Sequence, residues 1–159
     1  MADIPEEMQM LGRVPSGLFI VTAENNKQRV AFLASWVMQA GFSPPAVSVA
    51  VKQDRPIMRQ MGRGAKLCVS VLGKDDKALM GQFAKGFPLD ADPFAGAKIG
   101  RTKEGTPFLE NALCYLELNV MRVAEISTDH NLIIGEVVSG KILKEGEPWV
   151  HIRKNGANY

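Results

Sequence analysis

Three groups of residues could do chemistry. Arg55, Arg59 and Arg63 recur every four positions, a spacing that on a helix puts all three on one face. Asp54 and Pro56 stand at the head of that stretch. Asp suits a helix cap and Pro the first turn, so the sequence predicts a helix from Asp54 to about Gly62. A helix start flanked by Lys52 and Arg55 is an anion-binding arrangement, and arginine has the planar fork that holds phosphate. For Arg59 and Arg63 the same spacing equally describes a solvated basic face. The second group is His130 beside Asp129, at the head of an apolar run. A carboxylate there can orient the imidazole, although a histidine at a turn also serves structural ends. His151 and Arg153 form the third group, near a polar C-terminus.

Cys68 and Cys114 both lie in apolar runs, KLCVSVL and ALCYLELNV. They read most simply as core residues with free thiols, which suits a reducing, cytoplasmic compartment, a disulfide being the other reading. There is no CxxC or Cys/His cluster to suggest a zinc site. GxGxxG, GxxxxGK[ST] and GxSxG are also missing. Gly62-Arg63-Gly64 comes after a predicted helix and before a strand, the reverse of a dinucleotide turn. Rossmann and P-loop enzymes are therefore excluded.

The 159 residues make one ordinary domain, with 46% apolar and 23% charged residues, a globular composition. A net charge of +2 is too small for a nucleic-acid-binding face. No apolar run reaches the ~20 residues of a spanning helix. The opening MADIPEEMQM is acidic and lacks the apolar centre of a signal peptide.

The elements that must position these groups are mostly strands. Residues 5–12 suit a short helix. Residues 18–23 (LFIVTA) and 29–40 (RVAFLASWVMQA) read as a hairpin about the polar turn Glu24–Lys27. Further strands are expected at 46–52, 66–72, 112–126, 131–143 and 148–153, with a second helix through DKALMGQFAK. Residues 85–106 read as irregular, punctuated by Gly86, Pro88, Pro93, Gly96, Gly100 and Gly105, and are the natural candidate for a lid. About seven strands, two or three short helices and no βαβ alternation imply a mainly β chain, an antiparallel barrel.

Three segments carry a resemblance: RVAFLASWVMQAGFSPPAVSVAVKQDRP (29–56), GAKLCVSVL (64–72) with a helix ending in QFAKG, and Thr128-Asp129-His130-Asn131-Leu132 followed by IIGEVV. In this order, with WVHIRKNGANY closing the chain, they resemble the flavin reductase family with the FMN-binding split β-barrel, over residues 11–159. LASWVMQAGFSPP is particularly similar to the flavin reductase modules of cyanobacterial flavodiiron proteins.

The resemblance implies an antiparallel Greek-key split barrel forming one FMN-binding domain over 1–159. It implies Ala34, Ser35, Trp36, Val37, Met38 and Gln39 along the flavin, with Ser35 and nearby amides as hydrogen-bond partners. Lys52, Asp54, Arg55 and Pro56 would form the region of the FMN phosphate. Arg59 or Arg63 could meet an NADPH 2′-phosphate instead. Ser70 would replace an asparagine common in the family, and Phe83 would pack near the ring. His130 would lie at the nicotinamide or flavin side, and His151 and Arg153 would approach the flavin across a dimer interface.

The implied activity is hydride transfer from NADH or NADPH to FMN, in a homodimer. Di-iron and flavodoxin-like domains of a longer protein would take the electrons on to oxygen. Such chemistry belongs to the cofactor, with the protein positioning and polarising it, so no catalytic dyad is expected. The alternative is a dimerisation module that holds flavin or haem without nicotinamide turnover.

Overall fold

A computed structural model describes residues 3–88 and 90–157. A short helix α1 (Glu6–Leu11) precedes β1 (Phe19–Asn25), β2 (Gln28–Ala34), β3 (Val37–Phe42) and β4 (Pro45–Lys52). A single 3-10 turn (Pro56–Gln60) leads to β5 (Lys66–Val71) and helix α2 (Lys77–Ala84). The short β6 (Ile99–Arg101) and β7 (Pro107–Leu109) are followed by the long β8 (Cys114–Glu125) and β9 (His130–Ile142).

Seven strands make one antiparallel sheet in the order β2-β1-β5-β8-β9-β4-β3. The consecutive strands β2 and β3 thus lie at opposite ends of it. The chain steps between the two edges through Ser35 and Trp36 alone, which requires the sheet to curl until its edges face each other. This is the split of the barrel, and the expected mainly β, antiparallel architecture is what the chain adopts. The single strand expected at 29–40 is instead two strands serving opposite edges. Trp36 is fixed at the crossing by its carbonyl, which accepts the Ala50 N–H at 2.9 Å.

Local sequence explains most elements. The β1–β2 turn is Asn26-Lys27, with φ of +49° and +66°. Two positive φ values are what a tight hairpin between twisted strands demands, and Asn tolerates them. β1 and β5 are near-continuous apolar runs because both their faces are covered. Val21, Ala23, Leu67 and Val69 point into the barrel with Val49, Leu118 and Ile133. Ile20, on the other face of β1, joins Leu18, Leu72, Leu79, Phe83 and Leu109 in a second core, to which α2 contributes.

The expected helix from Asp54 is only a 3-10 turn. It ends at Met61, whose backbone is already extended (φ −90°, ψ 125°). Arg55 precedes the turn, Arg59 is in it and Arg63 lies beyond it, so the three do not share a helix face, and Asp54 caps nothing.

Residues 85–106 are not wholly irregular, since β6 pairs with β7. The hairpin is bolted to the sheet by hydroxyls. Thr22 Oγ1 donates to Pro107 O at 2.5 Å, and the Leu109 N–H donates to Ser70 Oγ at 3.1 Å. Thr102, Thr106 and Ser139 donate to the buried Glu117 carboxylate at 2.7, 2.8 and 2.6 Å.

The strand expected at 148–153 is reduced to two isolated bridges, Gly73 with Pro148 and Ser16 with His151. The tail then lies along α1, where Gly156 N–H donates to Met8 O at 2.5 Å. Both cysteines are free. Cys68 is buried and its thiol is pushed up by burial, then by the Glu117 charge. Cys114 is only half-buried, short of the core position expected. Among the described residues no helix is long and apolar enough to cross a membrane.

Candidate functional site

A groove follows the β2–β3 crossing and its surroundings, in three adjoining depressions. The first lies between Val30, Phe32, Arg55 and Ile57 on one side and Gly86, Phe87 and Pro88 on the other. The second is formed by Phe32, Ala34, Ser35, Trp36, Val51, Lys52 and Arg55. The third lies among Met8, Trp36, Lys52, Asp129, His130 and Arg153, closed by Gly156 and Ala157 of the tail. Arg55 borders the first two, while Trp36 and Lys52 border the last two, so the three adjoin one another.

Sheet register sets the cations. Lys52 at the end of β4 is paired with His130 at the start of β9, so both project from one end of the barrel. Lys52 Nζ lies 3.6 Å from Asp54 Oδ2, an exposed pair worth little energetically. Arg55 rests over Phe32, 5.5 Å from the ring centre. Gly86 beside it has φ +70°, a left-handed conformation that favours glycine, and a Cβ there would make only ordinary contact with the guanidinium at 3.8 Å.

At the far end, His130 Nδ1 is 2.8 Å from Asp129 Oδ1, and its ring centre is 4.8 Å from that of Trp36, tilted by 53°. The hydrogen bond with His130 holds the Asp129 carboxyl below its ordinary value. Desolvation, the next largest effect, opposes this, and the His130 and Lys52 charges add smaller lowering effects. Arg153 covers the same indole, 5.2 Å from its centre.

The groove therefore gathers Ala34, Ser35, Trp36, Lys52, Arg55, Pro56, His130 and Arg153 of the residues the sequence singled out. The others stand apart from it. Val37 is half-buried against the barrel core. Met38 is 69% exposed and Gln39 is exposed on the edge strand β3. Asp54 contributes only through Lys52. Ser70 is fully buried and occupied with Leu109. Phe83 is buried in the second core, meeting Phe87 edge-on at 5.3 Å. His151 is held through its backbone against Ser16. Arg59 and Arg63 are exposed outside the groove.

Sequence reasoning missed Phe32, Gly86 and Phe87. Phe32 alternates with Ala34 as any core residue would, but the dipeptide Gly86-Phe87 after a helix end was a readable signal. Two cations on an aromatic and aliphatic wall form a donor set that fits a planar ring with an anionic chain. Trp36, Phe32 and Phe87 offer faces and edges, and Arg55 and Lys52 offer charge.

The sequence profile described as "Flavin reductase like domain" matches residues 11–158. The chain is 42% identical over 151 residues to the diflavin flavoprotein A 1 of Synechocystis sp., covering 94% of this chain and 26% of that protein. It is 39% identical over 153 residues to the putative diflavin flavoprotein A 6 of Nostoc sp., covering 95% and 27%. It thus spans about a quarter of the length of these relatives. In fold it is similar to the Streptomyces globisporus NADH:FAD oxidoreductase, with a TM-score of 0.83 at 24% identity over 91% of this chain and 85% of that one. It is also similar to the flavin reductase PheA2, with a TM-score of 0.77 at 24% identity over 91% and 90%. With a family match over nearly its whole length, the split barrel that carries this groove belongs to the flavin reductase-like domain family.

Proposed function

We propose that the chain is an NAD(P)H:flavin oxidoreductase, a single FMN-binding domain that passes hydride from a reduced nicotinamide nucleotide to FMN. The observation that carries this reading is the run of adjoining depressions along the β2–β3 crossing, which sets the cations Arg55 and Lys52 beside the aromatic side chains Phe32 and Trp36. Arg55 and Lys52 bind the phosphate. Ser35, Ala34 and Trp36 line the ring, and the Trp36–His130–Arg153 end receives the nucleotide. Bound flavin supplies the hydride-accepting ring. The protein orients the two partners and excludes water with the tail and the Phe87 wall. Proximity of this kind is worth several powers of ten in rate without any acid–base dyad.

The working unit in this reading is a homodimer. β3 is a sheet edge with open backbone groups, and Phe42 upon it is 90% exposed. Val138 and Ile142 of β9 and Val150 and Ile152 of the tail are also exposed apolar side chains. Such edges and patches are normally covered. The diflavin relatives support linkage to further domains that take up the electrons, in the flavodiiron manner, and the free cysteines suit the cytoplasm.

The test is anaerobic: NADH, then separately NADPH, is added to FMN-loaded protein while the flavin's visible absorbance is followed. Rapid bleaching is expected and names the donor. Bound flavin that stays yellow with both nucleotides overturns the reductase reading.

A further inference from the structure

Gln53 stands between the two halves of the groove. It follows Lys52 and precedes Asp54, Arg55 and Pro56, and it lines none of the three depressions. Its backbone N–H continues the β4–β9 ladder by donating to Asp129 O at 3.0 Å. Its side-chain Nε2 donates twice more, to Thr128 O at 2.8 Å and to Asn131 Oδ1 at 3.1 Å. Asn131 is 9% exposed, and a polar side chain so covered needs such a partner.

The turn that Gln53 grasps is the one that presents Asp129 and His130. That turn is tight: Ser127 has φ +56°, and the His130 N–H donates back to Thr128 Oγ1 at 3.2 Å. Asp129 and His130 are thus flanked by Thr128 and Asn131, whose polar atoms Gln53 holds. At its other side Gln53 is continuous with the cation-bearing segment 52–56. Two groups of a binding site must keep their spacing to within about half an ångström for one ligand to engage both.

We propose that Gln53 is a positioning residue: its amide fixes the distance between the Lys52–Arg55 segment and the His130 end. This rests on the reading that the groove holds a flavin. Gln53 acts through Asn131 and Thr128, without touching the ligand. A side chain that merely decorates an exposed turn would transmit nothing to His130.

Gln53→Met keeps the length of the side chain and removes both donated bonds. Asn131→Leu removes one acceptor, and the double variant closes the cycle. FMN affinity is measured by fluorescence quenching, and the His130 imidazole signals are recorded by NMR on flavin-free protein. Each single variant is expected to weaken FMN binding about fivefold to tenfold, the scale of one hydrogen bond. Gln53→Met is expected to shift the His130 ring signals. The double variant is expected to bind no worse than the weaker single one, because the two residues act as a unit.

FMN affinity within about twofold of the parent protein in Gln53→Met, unmoved His130 signals, or strictly additive losses would overturn the proposal. Gln53 is exposed, so its replacement leaves the fold standing and carries the test alone if Asn131→Leu misfolds. If the parent protein binds no FMN, the functional reading fails instead, and the His130 signals still decide whether Gln53 positions the imidazole.

Discussion

Arg153 lies over the Trp36 indole with its guanidinium carbon 5.2 Å from the ring centre, which joins the C-terminal tail to the crossing between β2 and β3. The same indole is 4.8 Å from the His130 ring, so one aromatic side chain gathers two basic groups from distant parts of the sequence. A cation over an indole gains about 0.5–2 kcal/mol. That is enough to hold the tail against the groove and little enough for a ligand to compete with.

Arg153→Ala is therefore expected to act on the nucleotide before the flavin. The end of the groove it borders also carries Lys52 and His130, a setting for an anionic chain. KM for the nicotinamide nucleotide should rise about tenfold to a hundredfold, the worth of hydrogen bonds from a charged group to the nucleotide's anionic chain. FMN affinity should change little, and Trp36 fluorescence should change because its covering group is gone. Steady-state kinetics and fluorescence titration check both. A loss confined to FMN affinity would place Arg153 on the flavin instead.

Arg55 carries the opposite expectation. It touches the first two depressions and not the third, and its guanidinium is propped on Phe32. Arg55→Ala should weaken FMN about tenfold to a hundredfold, the worth of hydrogen bonds to a charged group. Riboflavin, which has the same ring and no phosphate, should bind the parent and variant proteins alike. Equal losses for both ligands would show that Arg55 supports the groove wall and not the phosphate.

Much of this was legible in the sequence, for physical reasons. β1 and β5 are near-continuous apolar runs, as strands covered on both faces must be, while β8 and β9 carry enough β-branched and aliphatic residues to read as strands although parts of both are exposed. The step at Ser35-Trp36 was invisible because no Gly or Pro marks it. It exists only because the sheet closes, which is a property of all seven strands together. The helix expected after Asp54 had the right cap and the right proline, but the chain turns to extended backbone at Met61 before a second turn can form. Arg55 and Lys52 were identified, yet the reason they belong together is the β4–β9 register that sets Lys52 opposite His130. Phe32 escaped notice because an aromatic residue on the inner face of a strand looks the same whether it fills a core or floors a groove.

Ser70 already has a hydrogen-bond partner within the fold. Its oxygen accepts the Leu109 N–H at 3.1 Å inside the second core. Ser70→Ala is expected to leave FMN affinity unchanged and to cost about 1–3 kcal/mol of stability, the penalty for an unpaired buried donor. Chemical denaturation and flavin titration of the same sample separate the two outcomes. An FMN affinity that falls with stability intact would return Ser70 to the flavin site.

Glu117 makes the stability of the hairpin depend on pH. Burial pushes its carboxyl up, but hydrogen bonds from Ser139, Thr102 and Thr106, with the Lys66 charge nearby, outweigh this and hold it below its ordinary value of 4.5. A carboxyl whose value is lower in the folded chain binds protons more readily when unfolded. Its contribution is therefore present above about pH 4.5 and is lost as the pH falls through the folded value. Glu117→Gln leaves three hydroxyls without a charged acceptor and should cost about 1–3 kcal/mol near neutral pH. The difference in Tm between the parent protein and this variant should then shrink as the pH is lowered from 5 towards 3, because the parent loses what the variant never had. A gap that stays constant across that range would mean that Glu117 is already neutral at pH 7, with the hydroxyls held by a carboxylic acid.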